Sequence, residues 1–248
     1  MNSALVVMWH RQVKEYLRNK QRLFVSLVQP ILFLIAFGYG LGSSFSSSDG
    51  VGYIQYLLPG IIGMTLLMSS TMSGMSLIWD KKFGFLKETL VAPVSRTQLL
   101  FGRCLGGATT SLFQGILILF LGYFLGFRLN SWTMLPFVLV VMFVISLLFS
   151  LLGTLLATKF DDMHSFPSVM NLLMMPMMFL SSAFFSVENY PVVLQWIVKL
   201  NPFDYCVQLL RYTMSGIEAN FFLDIFVIGF LIFLFGLLGT LAFKRIQA

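Results

Sequence analysis

The chain has 248 residues, of which 58% are hydrophobic and only 10% are charged, and it contains 27 Phe and 15 Met. A soluble core cannot bury that much apolar surface, so the composition excludes a soluble globular domain and predicts an all-α integral membrane protein in the lipid bilayer. The formal net charge is +6, but the basic residues flank apolar runs. They do not form the continuous basic surface of a nucleic-acid-binding domain, so we expect no nucleic acid partner.

An amphipathic segment, residues 1–22, precedes the first apolar run. Its apolar residues recur at helical spacing, at Leu5, Trp9, Val13, Tyr16 and Leu17. Cations occupy the rest of the helix circumference, which predicts an interfacial helix lying on the cytoplasmic membrane surface.

Six apolar runs are long enough to cross a bilayer, which takes about 20 helical residues. They lie at 23–42, 56–79, 104–126, 134–158, 167–186 and 223–243, within a transmembrane domain over residues 23–246. No Asp, Glu, Lys, Arg or His lies inside them, apart from Asp224 at an edge. Most Lys and Arg lie in segments on the side of both termini, so the positive-inside rule places both termini in the cytoplasm.

A charged segment, residues 81–96, follows the second span and reads KKFGFLKETLVAPVSR. On a helix over 81–91, one face would carry Phe83, Leu86 and Leu90, with Lys81 and Glu88 opposite. Pro93 would end the helix, because a residue before proline is disfavoured in helical geometry. Two interpretations stay open at this point: a solvated loop that only sets orientation, or a surface helix that offers its charged face to a soluble protein.

Two patterns in the spans are candidates for a translocation pathway. Span two carries hydroxyl residues on nearly one face, and span five is rich in methionine around a proline. Ordinary helix packing explains both patterns more simply. The candidate pathway residues are Thr65, Ser69, Ser73, Met174, Met175, Pro176, Met178 and Phe179.

Other small and polar residues in the spans are assigned first to packing. Two glycine pairs with small-xxx-small spacing are expected to bring helices close: Gly102 with Gly106, and Gly122 with Gly126. Gln29, Gln114 and Asn171 are uncharged polar residues that would bond between helices or touch solute.

The segment 187–222 is too apolar for a solvated loop and too broken for a span. Asn201 and Pro202 have the N-cap and first-turn preferences of a helix start. We expect two short re-entrant or interfacial helices here, on the outer side. Before span five, the pair Asp161 and Asp162 is explained by N-capping of that helix or by ordinary solvation, in preference to catalysis.

The sequence lacks the residues that several chemical functions would need. No GxxxxGK[ST] phosphate-binding motif is present, so the chain itself is not expected to be an ATPase or another enzyme. Cys104 and Cys206 have no metal-ligand spacing and are predicted to lie on opposite sides, so neither a metal site nor a disulfide is expected. Because the spans hold no charges for proton coupling, energy for transport would come from a partner.

Two stretches resemble type-2 ABC exporter permeases, the membrane subunits of the drug, nodulation-factor and polysaccharide export group. They are KFGFLKETLVAPVSRTQLLFGRCLGG after span two, and LMMPMMFLSSAFFS followed by LNPFDYCVQLLRY. The second is similar to the family's FLSG-x-FF turn and NP-x-x-Y-x-x-x-x-R helix. Ser182 replaces the usual glycine and Ser186 the usual proline, so the turn to the outer helices is expected to differ.

The resemblance implies a permease dimer, most simply of two identical chains, joined to two cytoplasmic ATP-binding subunits that hold ATP and Mg. It implies no cofactor on this chain. The coupling residues would be Phe83, Leu86, Lys87, Glu88, Leu90, Pro93 and Arg96, with the N-terminal helix as a second contact. The outer helix would use Asn201, Pro202, Tyr205 and Arg211, with Arg211 paired to Asp204 or Glu218, or to an anionic head group.

The expected function is ATP-driven export of a hydrophobic or amphipathic substrate (drug-like, lipid or lipid-linked glycan) across the inner membrane. Two alternatives are a free-standing carrier or channel and a membrane-embedded enzyme that acts on lipid. The charge-free spans, which offer no coupling group and no catalytic base, argue against both alternatives.

Overall fold

The architecture is known from a computed structural model that describes residues 3–40, 53–91, 94–184, 187, 191–217 and 219–244. All regular elements in these ranges are helical, as the composition predicts. In chain order the α-helices are α1 (Ser3–Arg18), α2 (Lys20–Gly40), α3 (Tyr53–Met72), α4 (Met75–Lys82), α5 (Phe85–Val91), α6 (Arg96–Phe124), α7 (Leu135–Ala157), α8 (Ser165–Phe179), α9 (Val192–Leu200), α10 (Pro202–Ser215) and α11 (Phe221–Lys244), and one 3₁₀ turn, Trp132–Met134, leads into α7.

Four helical stretches of the described chain are long and apolar enough to cross a membrane. They are Tyr53–Lys82, Arg96–Phe124, Trp132–Ala157 and Phe221–Lys244, and the α1–α2 pair, bent by 73°, makes a fifth if it is taken as one span. α8 has 15 residues, fewer than the roughly 20 that a straight crossing needs. The fifth span, predicted over 167–186, is therefore represented by a helix shorter than a straight crossing.

α3 is the centre of the bundle, and it packs against α2, α6, α7, α8 and α10. It crosses α7 so closely that a Cβ on Gly153 would lie 2.2 Å from the carbonyl oxygen of Thr71. α11 is peripheral, since only 17% of its apolar 18-residue stretch is buried. Its exposed Phe and Leu side chains present a surface suited to lipid.

Small residues bring α1 and α6 together, as the glycine spacing predicts. A Cβ on Gly106 would lie 2.4 Å from Cβ of Gln12, and one on Gly102 would lie 2.8 Å from Cβ of Met8. Gly122 packs similarly against α3. The prediction for Gly126 is wrong: it lies beyond the end of α6, in a turn with a positive φ of 104°.

The ends of the second and third spans differ from their predicted positions. The second span continues through α4 to Lys82, and the third begins at Arg96. Ser95 sets that beginning, because its side chain accepts a hydrogen bond of 3.2 Å from the main-chain N–H of Gln98 and caps α6. Two charged residues placed just outside the predicted spans, Asp80 and Arg103, therefore lie on long helices.

Candidate functional site

α5 is the short helix that the sequence predicts after the second span. The chain enters it through Gly84, whose positive φ of 78° is accessible to glycine at little cost. Leu86 anchors it, with 3% of its surface exposed, and burying such a side chain contributes about 1.5–3 kcal/mol. Lys87 and Glu88 are exposed on the same helix. Among its described side chains, α5 therefore combines a buried Leu86 with exposed Lys87 and Glu88.

The residues before α5 do not join its apolar face, so the continuous helix expected over 81–91 is wrong. Phe83 precedes the glycine turn, is 68% exposed and stacks on Trp79 with ring centroids 5.5 Å apart. Lys81 is not part of a charged outer face either. Its Nζ donates to the carbonyl oxygens of Thr158 at 2.7 Å and Phe160 at 3.1 Å, which ties the end of α4 to the end of α7.

The other coupling candidates are placed as follows. Arg96 lies in the first turn of α6, where its Nη1 donates to the carbonyl oxygen of Lys244 at 2.7 Å. It holds the end of α11 and is not part of the α5 surface. The side chain of Leu90, and Pro93 as a whole, lie outside the described residues.

A buried charge cluster that the sequence analysis missed connects α1, α4, α5 and α6. Asp80 accepts two hydrogen bonds from Arg11, at 2.6 and 3.0 Å, and a third from Arg103. The side chains of Asp80 and Arg103 are 6% and 3% exposed. The Arg11 guanidinium also lies over the Phe85 ring, 4.1 Å from its centroid. Through Arg11, the amphipathic helix is joined to the first residue of α5.

Arg11 and Arg103 were counted only as orientation signals at the ends of spans, and Asp80 was not singled out. A signal was present, since Asp80 is an acid at the end of an apolar run and is followed directly by Lys81 and Lys82.

The hydroxyl residues predicted on one face of span two line a partly open cavity. Thr65, Ser69, Ser73 and Ser76 face α1, α2 and α6 across a space of about 210 Å³. Gln114 of α6 also lines it. Packing accounts for part of the pattern, because Ser69 accepts a hydrogen bond of 3.0 Å from Ser111. The stripe therefore serves helix packing and forms a polar cavity.

The methionines of span five are not among the described residues that line this cavity. Met174 and Met178 are buried in the core, at 1% and 5% exposure, while Met175 and Phe179 are about half exposed or more. Pro176 is also exposed. The predicted pathway residues are thus divided between two places, and the exposed side of α8 is an apolar surface.

Asn201 joins α8 to α10, as an N-cap with Pro202 in the first turn. Its Oδ1 accepts from the main-chain N–H of Phe203 at 3.0 Å, while its Nδ2 donates to the carbonyl oxygens of Met177 and Leu180, both at 2.7 Å. One amide thus satisfies main-chain groups at the start of α10 and at the end of α8.

Arg211 is buried beneath the turn after α8 and does not pair with Asp204. Its Nη2 donates to the carbonyl oxygen of Ser182 at 2.7 Å, and its guanidinium lies 3.7 Å from the centroid of the Tyr56 ring. Asp204 instead accepts from the main-chain N–H of Ser182 at 2.7 Å. The alternative partner Glu218 lies outside the described residues.

Ser182, which replaces the family's glycine, is compatible with this turn. No described non-glycine residue has a positive φ, so the turn requires no glycine there. Its main-chain groups hold both Asp204 and Arg211. Ser186 lies outside the described residues, and Tyr205 donates to the carbonyl oxygen of Lys199 at 2.6 Å.

Of the acidic pair before α8, Asp162 bonds the first residue of the helix, whereas Asp161 is exposed and pairs with Lys81. Asp162 accepts from the main-chain N–H of Ser165 at 2.8 Å and from its hydroxyl at 2.6 Å. These hydrogen bonds lower the pKa of the Asp162 carboxyl to about 2. Both cysteines are free and buried, and the described residues contain no cluster of His, Cys, Asp or Glu able to hold a metal ion.

Comparisons with known proteins identify the family. The profile of the family described as ABC-2 type transporter matches residues 3–215. The chain is 29% identical to the inner membrane transport permease YadH of Escherichia coli K12, over 87% of this chain and 84% of that protein. It is 31% identical to the transport permease ycf38 of Pyropia yezoensis, over 85% of this chain and 74% of that protein.

A further relative is Nodulation protein J of Rhizobium leguminosarum bv. viciae, 27% identical over 85% of this chain and 82% of that protein. The relatives and the apolar helices identify a multi-pass protein of the inner membrane. The family match covers most of the chain, and the chain therefore belongs to the ABC-2 type transporter family of membrane permeases.

Proposed function

We propose that the chain is the membrane subunit of an ATP-driven exporter, and that α5 is its coupling helix to a separate cytoplasmic ATP-binding subunit. The observation that carries this proposal is the construction of α5. Leu86 fixes it to the bundle, Arg11 and Asp80 join it to α1 and α6, and Lys87 and Glu88 remain exposed. A force on the charged face of α5 would therefore reach α1 and α6.

The proposed assembly holds two copies of this chain and two ATP-binding subunits, which bind ATP and Mg. The exposed apolar side of α8, with Leu172, Met175 and Phe179, is the surface we assign to contact with the second copy, since α8 packs within this chain only on its other side, against α3 and α10. ATP-driven closure of the two ATP-binding subunits would then move the helix bundle from one packed arrangement to another.

The proposed topology has six crossings with both termini in the cytoplasm. α8 would be the fifth crossing, completed by the turn after it. α9 and α10, with 9 and 14 residues, are too short to cross, and would rest in the outer half of the membrane. The substrate would be hydrophobic or amphipathic, since the bundle surface and core are apolar.

The test is to purify the chain from its native membrane in mild detergent and to identify co-purifying proteins. We expect a P-loop ATPase whose substrate-stimulated hydrolysis falls in the variant Glu88→Arg. The matched control is Lys199→Glu, a charge reversal on exposed α9, which should leave hydrolysis unchanged. Solute flux through liposomes that hold this chain alone would instead support a free-standing carrier or channel.

A further inference from the structure

A basic groove lies where α1 joins α2. The two helices are bent by 73° relative to each other, with Asn19 between them. Residues of both helices line an open space of about 1070 Å³ at this bend, which we call the elbow groove. Its charged lining residues are Arg11, Lys14, Glu15, Arg18 and Lys20.

Three of the four cations in the elbow groove are not neutralised by this chain. Arg11 already pairs with Asp80 at 2.6 Å. The other three are exposed and form no ion pair within the described part of the chain. Because Glu15 is the one acid among the described lining residues, two positive charges stay unbalanced. The three cations are Lys14, Arg18 and Lys20.

The geometry of the two helices brings these cations together. Lys14 and Arg18 are four residues apart on α1, so their side chains are neighbours on one face. That face points away from the side on which Met8 and Gln12 pack against the glycines of α6. α2 begins at Lys20, which adds a cation from beyond the bend. Cations from two helices thus surround one open space, an arrangement suited to a phosphate group.

An apolar strip leads from the elbow groove along α2. Phe24, Val28 and Leu32 follow Lys20 at intervals of four residues, so each lies next to the one before it along the helix. Their side chains are 71%, 39% and 60% exposed. α2 belongs to the bent pair that makes the fifth candidate span, so the strip is suited to acyl chains. A free phosphate or a soluble protein would use the groove alone, whereas an anionic lipid would use both the groove and the strip.

We propose that the elbow groove binds one anionic phospholipid, with its phosphate at Lys14, Arg18 and Lys20 and its acyl chains along the apolar strip of α2. An interfacial helix in general needs no particular lipid, whereas this arrangement selects a negative head group. The lipid is a bound component of the permease and not its exported substrate. Its binding needs neither the ATP-binding subunit nor a particular orientation of the chain in the membrane.

The experiment is native mass spectrometry of the purified full chain in an uncharged polyether detergent, with one probe added at a time. The probes are phosphatidylglycerol and phosphatidylcholine with the same acyl chains, and glycerol phosphate as the free head group. A cation close to an anionic lipid strengthens binding about fivefold, so phosphatidylglycerol should bind at least about tenfold tighter than phosphatidylcholine. Equal binding of the two lipids would overturn the proposal. Displacement of phosphatidylglycerol by an equal concentration of glycerol phosphate would also overturn it, because the ligand would then be a free phosphate.

A matched pair of double variants locates the site. Lys14→Gln with Arg18→Gln removes two cations of the elbow groove. Lys159→Gln with Lys244→Gln removes two exposed cations that are not among its described lining residues, so both variants lower the net charge equally. The groove variant should weaken phosphatidylglycerol binding about twentyfold, and the control should leave it unchanged. Equal losses would indicate diffuse attraction to a basic protein and would refute the site.

Photolabelling tests the strip without any substitution. Phosphatidylglycerol with a diazirine in one acyl chain should label the strip of α2 in preference to α11, whose Phe226 and Phe233 are 73% and 70% exposed. The same probe in phosphatidylcholine reports contact with bulk lipid. The ratio of α2 to α11 labelling should be several-fold higher for phosphatidylglycerol, and equal ratios would contradict the proposal.

The thermal unfolding midpoints of both double variants are measured alongside, so that a folding defect is recognised and the two experiments on the unchanged chain then decide. All of these assays use the chain without an ATP-binding subunit. Loss of lipid binding therefore leaves the co-purification test of the coupling helix untouched, and the two proposals can fail separately.

Discussion

Replacing Asp80 by Asn is expected to destabilise the protein by several kcal/mol. The carboxylate pairs with Arg103, whose side chain is 3% exposed and whose Nε and Nη1 atoms have no partner within the described residues. Removing one member of such a buried pair costs about 3–5 kcal/mol, because the remaining charge stays buried without compensation. Arg11, at 32% exposure, can turn towards water and adds about 1 kcal/mol or less.

Asp161→Asn is the matched control. It removes a carboxylate that also pairs with a cation, Lys81, at 3.1 Å, but the Asp161 side chain is 91% exposed. An exposed ion pair contributes about 0–1 kcal/mol, and Lys81 keeps its two carbonyl acceptors. The control should therefore unfold almost as the unchanged protein does.

The assay is unfolding in mixed micelles at increasing fractions of dodecyl sulfate, followed by tryptophan fluorescence and circular dichroism. A difference below about 1 kcal/mol between Asp80→Asn and Asp161→Asn would refute the buried cluster, given the 3–5 kcal/mol expected for a broken buried pair. The double variant Asp80→Leu with Arg103→Met provides a second check. It should recover most of the loss, since apolar replacement of both partners is often neutral or stabilising.

Three further outcomes follow from the packing and the caps. Gly106→Ala should separate α1 from α6 and cost about 1–3 kcal/mol of stability by overpacking. Its control, Gly229→Ala, should not destabilise the protein, because nothing lies within 4 Å of the added Cβ. Equal unfolding curves for the two variants would contradict the close contact. Asn201→Ala should cost about 1–2 kcal/mol through the lost cap, against no change for exposed Asn171→Ala. The pKa of Asp162 is lowered to about 2 in the folded protein, below its value in the unfolded chain. The stabilisation from this carboxylate is therefore present above about pH 4 and lost as the pH falls towards 2. In Asp162→Asn, the free energy of unfolding should depend less on pH across that range.

Local patterns predicted the local features. The N-cap at Asn201, the acidic cap at Asp162 and the close packing at Gly106 depend on residues near each other in sequence or on small size alone. Leu86 was identified by helical spacing. These features needed no knowledge of which helices are neighbours.

The features that were missed depend on tertiary neighbours. The contact between Arg11 and Asp80 spans 69 positions, so no local window contains both residues. Arg11 was interpreted as an orientation signal, and Asp80 was not singled out. Arg211 was expected to pair with a nearby acid. The turn carrying Ser182 folds back between them, and its carbonyl and N–H take the two charges separately.

The break at Gly84 was hidden by the apolar and charged residues on both sides, which fit one helix by period. A positive φ is open to glycine but is not required of it, so the sequence permits either a continuous or a broken helix. The break separates Phe83 from Leu86 and exposes α5 as an element of its own. The surface we assign to coupling is for this reason smaller than the spacing indicated.

The most direct test of the account is photocrosslinking from the face of α5 in native membranes. A photoreactive amino acid at Lys87, which is exposed, is predicted to form an adduct with a P-loop ATPase. The same group at Phe120, which is 59% exposed on α6, should label lipid. An adduct of position 87 with lipid alone, or its modification by a reagent confined to the outside of the cell, would contradict the account.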